Sequence, residues 1–101
     1  MEYQILSQEE QDDIIVSFML GQERDKYCHE LNLQRYTEML KTLKAGEWRD
    51  RVSKLEGETV SRLAEVNSII GVTTPQMPSP ERITAAKQRI EAAGQRMATE
   101  R

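Results

Sequence analysis

Apolar residues fall at steps of three and four along most of the chain, the spacing of one face of an α-helix. Counting 100° per residue from Phe18 puts Ile14, Phe18, Leu33, Tyr36, Met39, Leu40 and Leu43 in one stripe. Trp48, Val52, Leu55, Thr59, Leu63, Val66 and Ile70 form a second stripe, and the two flank a short turn at residues 44–47. Two amphipathic helices around a short turn predict an antiparallel hairpin. Its register follows from the turn: Leu43 faces Trp48, Leu40 faces Val52, Tyr36 faces Leu55 and Leu33 faces Thr59. Each arm would be about 35 Å long at 1.5 Å per residue. No stretch alternates as a strand does. The expected class is all-α: a long, coiled-coil-like hairpin, then a C-terminal helix after a proline-containing linker.

Local signals set the boundaries. Ser7-Gln8-Glu9-Glu10 has the pattern of a capping box, opening a helix that runs to about Lys44 and tolerates or kinks at Gly21. Gly46 suits a left-handed cap, and a second helix is expected from about Glu47 until Gly71 stops it. Gly57, inside that helix, would let a neighbour approach closely. Residues 73–80, with Pro75, Pro78 and Pro80, read as an extended linker, and Ser79-Pro80 as the start of a third helix reaching about Thr99. The expected division is hairpin 1–71, linker 72–80 and helical arm 81–101.

Charge adds an asymmetry that periodicity misses. The 101 residues carry 14 bases and 17 acids, a net −3. Residues 1–20 hold five acids (Glu2, Glu9, Glu10, Asp12, Asp13) and no base, whereas 79–101 hold five bases (Arg82, Lys87, Arg89, Arg96, Arg101) and three acids. The ends are complementary and could dock within one chain or head-to-tail between copies. The third helix pairs a small-residue stripe (Ile83, Ala86, Ile90, Ala93, Met97) with arginines at positions 82, 89 and 96. It would bury little area alone, so it needs a surface, and the acidic first helix is the best one in the chain. That helix also carries a second apolar face, Val16, Leu20, Tyr27 and Leu31, open to cover by the third helix or by a partner. Trp48 is expected to plug the closed end of the hairpin.

Candidate chemistry is sparse. Asp25 and His29 lie one helical turn apart, but a metal site wants at least three convergent ligands, and the chain has one histidine and one cysteine, Cys28. The helical glutamates do not pair with a Glu-x-x-His motif, because Lys26 stands three residues before His29. Glutamates here read as a solvated face with ion pairs such as Glu47–Arg51 and Glu58–Arg62. There is no phosphate loop, Cys-x-x-Cys pair or nucleophile elbow. No enzyme activity, cofactor, metal or small-molecule substrate is expected. The acidic balance and the lack of aromatics among the arginines argue against nucleic acid. One cysteine excludes an internal disulfide framework, and neither a membrane span nor a signal peptide is present. A soluble protein of a reducing compartment is the corresponding expectation.

The run Ile14-Ile15-Val16-Ser17-Phe18-Met19-Leu20 through Tyr27-Cys28-His29-Glu30-Leu31-Asn32, followed by Gly46-Glu47-Trp48-Arg49, resembles small all-helical proteins of tailed bacteriophages. The resemblance covers residues 8–70 and transfers no functional residue. It implies a minor virion or assembly component, or a small host-interaction factor. The sequence thus points to a non-enzymatic protein that self-associates or docks on a larger assembly. Val16, Leu20, Tyr27 and Leu31 would be one contact face, and Ile83, Ile90 and Met97 with Arg82, Arg89 and Arg96 a mobile arm. The alternative is an acidic regulator that offers its N-terminal carboxylates to a basic host protein.

Overall fold

The structure, a computed structural model, describes residues 5–99. Helix α1 spans Gln8–Thr42, α2 Glu47–Thr73 and α3 Pro80–Thr99, with a 3-10 turn at Thr74–Gln76 between α2 and α3. No strand occurs among the described residues, so the fold is all-α as expected. The chain divides into two compact units. One is the hairpin, Gln22–Val72. The other joins the start of α1, up to Gly21, to the chain from Thr73 onward. Among the described residues the start of α1, through Gly21, groups with the C-terminal helix, whereas the sequence division kept it with the hairpin.

The cap at the start of α1 forms as predicted. The amide of Glu10 donates to Ser7 Oγ at 3.1 Å, and the amide of Ser7 donates to Glu10 Oε1 at 3.3 Å. Two orphan amides are thus satisfied reciprocally. Helix α1 runs through Gly21 without a break. Its end is held by an element the sequence did not announce. Arg49 Nη1 donates at 2.7 Å to the carbonyls of both Leu40 and Leu43. These are among the last four carbonyls of a helix, where a cation also meets the negative end of the dipole. Gly46 adopts φ +152°, a backbone state open to glycine, as the chain turns into α2.

Within the hairpin unit a row of sheltered positions on α2, Arg49, Val52, Glu56, Thr59, Leu63, Val66 and Ile70, alternates steps of three and four, with Ile69 half-buried beside it. Val52, Thr59 and Val66 are buried, at seven-residue intervals. This is a heptad seam, the packing pattern of coiled-coil helices. Half-buried Gln22, Lys26, His29, Leu33, Tyr36 and Leu40 on α1, and Leu43 just past its end, follow the same alternation, flanked by half-buried Leu31, Asn32 and Met39. Thr37 Oγ1 donates to Glu56 Oε2 at 3.0 Å across the hairpin, adjacent to the predicted Tyr36–Leu55 pairing. The predicted register is right to within a turn. Thr59, buried in the seam, satisfies its hydroxyl on the Leu55 carbonyl at 2.7 Å.

Several expectations fail for one reason. A seven-residue repeat advances faster than 100° per residue, so a stripe extrapolated at 100° drifts by about 20° per heptad. Over the three heptads from Leu40 back to Phe18 the error reaches about 60°. Ile14 and Phe18 accordingly stand exposed, while Asp12, Val16 and Met19 are buried. On α2, where the expected stripe rested on steps of three and four, Arg49 and Glu56 hold the seam positions expected for their neighbours Trp48 and Leu55. Trp48 does not plug the hairpin; it is 57% exposed. Gly57 meets nothing within 4 Å of a built Cβ, so it serves no close approach. Gly71 does not stop α2, which continues to Thr73. A glycine costs about 1 kcal/mol in a helix and is no block, whereas Pro75 cannot continue an α-helical ladder. The linker is shorter than expected because residues 74–76 coil into the 3-10 turn, leaving only Met77, Pro78 and Ser79 outside helices.

Candidate functional site: an acid–arginine clasp and exposed apolar side chains

The terminal unit is organised around the acidic start of α1. Asp12, 4% exposed, accepts from Arg82 twice, Nε to Oδ2 at 2.8 Å and Nη2 to Oδ1 at 2.6 Å. Gln8 Nε2 adds a third bond to Asp12 Oδ1 at 2.9 Å. Beside it Arg89 Nε donates to Asp13 Oδ1 at 2.9 Å, its Nη2 lies 2.7 Å from the same oxygen, and Nη2 reaches the Glu9 carbonyl at 3.5 Å. Two-pronged guanidinium–carboxylate pairs of this kind add geometric selectivity to charge. The Arg82 hydrogen bonds hold the Asp12 carboxyl below its ordinary value of 3.8, against a partial opposing effect of burial. The guanidiniums of Arg82 and Arg89 are raised by the same bonds to Asp12 and Asp13. Around the pairs lie Val16 and Ala86, both fully buried, with Met19 also buried and Ile83 and Ile90 half-buried. Ala86 sits one turn from both Arg82 and Arg89 along α3, so its methyl shares their face.

This geometry redistributes the expected contact residues. Val16 is a core residue of the terminal unit, not a partner contact. Arg82 and Arg89 are tied to Asp12 and Asp13, and Ile83 and Ile90 are half-buried with them, so this part of α3 is a docked helix rather than a loose arm. Leu20 and Leu31 are half-buried. Tyr27 and Met97 are exposed. Arg96 is exposed too, and it has an interaction of its own. The residues that the sequence missed are the exposed apolar ones. In the terminal unit Ile14 and Phe18, one turn apart on α1, are 57% and 47% exposed. In the hairpin unit Trp48 and Leu55, seven residues apart on α2, stand out beside the seam. Trp48 lines a shallow cleft of about 300 Å³ with Glu47 and Arg51, whose side chains pair at 2.9 Å as predicted. A heptad count back from Ile70 through Leu63 falls on Glu56 and Arg49 and leaves both residues outside.

His29 is half-buried on the seam and Asp25 is exposed. Among the described residues no group of three histidine, cysteine or carboxylate side chains could hold a metal ion. No helix among them is long and apolar enough to cross a membrane. No family model, curated protein or solved structure matches the chain.

Proposed function

We propose that the protein is a non-enzymatic structural or interaction protein that self-associates or docks on a larger assembly. Its most concrete form is a minor virion or assembly component of a tailed phage, a version that rests on the sequence resemblance alone. One observation carries the general reading. The buried apolar residues are Val16, Met19, Val52, Val66 and Ala86, whereas Ile14, Phe18, Tyr27, Trp48, Leu55 and Val60 are all at least 41% exposed. A large aromatic beside an ion pair on an open surface is the composition of an interface anchor. The regulator reading has less behind it, because Asp12 and Asp13 are engaged by arginines of the same chain and Glu10 is spent on its own helix cap.

The protein's sole tryptophan supplies the test. Light scattering and Trp48 emission are followed together from low to high micromolar concentration. Association should raise the mass and shift the emission to the blue, and Trp48→Ala with Leu55→Ser should weaken it. A wild-type chain that stays monomeric at every concentration, with unshifted emission, and that assembles on no purified virion of its host phage overturns the reading.

A further inference from the structure

We propose that α3 is exchangeable: two copies of the chain trade their C-terminal helices, each seating Arg82 and Arg89 on Asp12 and Asp13 of the second copy. The inference rests on the self-association reading and specifies one route for it. Three features of the terminal unit support it. First, α3 is held by two directional charge pairs, and an identical pair of aspartates is offered by every other copy. Among the described α3 side chains Ala86 alone is fully buried, with Ile83 and Ile90 half-buried, so the apolar area that binds the helix to its own chain is modest. Second, the start of α3 is closed by its own segment and not by α1: Pro80 opens the helix, and the Ile83 amide donates to the Ser79 carbonyl at 2.9 Å, so exchange leaves that first turn unchanged.

Third, the connector is short. Met77, Pro78 and Ser79 are the only residues between helical turns, and Met77 is already extended at φ −67°, ψ 146°. The Met77 amide closes the preceding turn on the Thr74 carbonyl at 3.2 Å, so the hinge begins at Pro78. A short proline-stiffened hinge beside a self-complementary contact is the arrangement from which helices swap between copies. Exchange is reciprocal, so the pair closes with two-fold symmetry and leaves no unpaired arginine. Within one chain the tethered α3 competes at an effective concentration of about 1 mM, so exchange belongs to crowded conditions such as an assembly.

Charge reversal tests this directly. In Asp12→Arg/Asp13→Arg both sides of the clasp are cationic, and in Arg82→Asp/Arg89→Asp both are anionic. Neither variant can close its own clasp, but a mixture can close two by exchange. Exchange predicts that each variant alone is monomeric and helical and that an equimolar mixture gives a 1:1 dimer by light scattering. Two helical variants that remain monomers when mixed overturn the proposal. Where either variant loses its circular dichroism, wild-type chain unfolded in urea and refolded near 1 mM decides instead. A dimer that persists on dilution, absent after refolding at micromolar concentration, supports exchange; monomer in both samples overturns it. A wild-type dimer that Asp12→Arg/Asp13→Arg forms equally well uses another surface, which overturns exchange and leaves self-association standing. A wild type monomeric throughout, refolded samples included, removes both.

Discussion

The hairpin and the terminal unit share one continuous helix, yet they hold their second helix by different forces. In the hairpin, α2 contributes a heptad row in which Val52, Thr59 and Val66 are buried. In the terminal unit the corresponding work falls to Asp12 with Arg82 and Asp13 with Arg89, around the small residues Val16 and Ala86. Apolar burial is non-directional and not screened by salt, whereas charge pairs are directional and weaken with ionic strength and with protonation. The two units should therefore come apart under different conditions.

The sharpest way to break the contrast is Arg82→Ala. It leaves the Asp12 carboxylate buried with Gln8 alone, and stranding one partner of a buried pair costs more than removing both. Hydrogen exchange should show protection lost over α3 and the start of α1 while the hairpin amides remain protected, and Asp12→Ala/Arg82→Ala together should lose less. Val52→Ala comes next, at about 2 kcal/mol from lost apolar transfer and the cavity left behind. Urea unfolding should show that loss in the hairpin unit, unchanged by salt.

Acid probes the clasp in its own terms. The folded carboxyl of Asp12 lies below 3.8, so its contribution is complete above that value. The contribution is lost as pH falls through the lower folded value, when the proton that Arg82 excludes is finally taken up. Helicity of the terminal unit should accordingly hold to about pH 4 and fall below it. The smallest effect expected is that of Ser7→Ala, about 1 kcal/mol from the broken capping box, read as fraying of the first turn of α1.

Much of this arrangement was legible from the sequence, and its limits have a physical origin. Caps and turns are local, so Ser7, Glu10, Gly46 and Pro80 could be placed from their neighbours alone. The hairpin register followed because the turn fixes it. The acidic and basic ends were visible as a pair, and their docking follows from opposite charge. Which face is buried was not legible from a 100° count, because helices that pack along a seam follow a period of 3.5 rather than 3.6. Arg49 and Glu56 escaped notice for a second reason. Each holds a seam position for a polar task, capping α1 or bonding Thr37, and a hydrophobic pattern passes over such residues. The exposed Trp48 is the converse case. Its size suggested interior packing, but its place one residue off the seam turned it outward.

The polar stretch of that seam has a consequence for where the hairpin opens first. Gln22, Lys26 and His29 occupy successive sheltered positions on α1, and the register that sets Leu33 against Thr59 puts them opposite Ile70, Val66 and Leu63. Amide, ammonium and imidazole groups against aliphatic side chains cohere less than an apolar row does. The two rods therefore part at least cost at the end farthest from their turn.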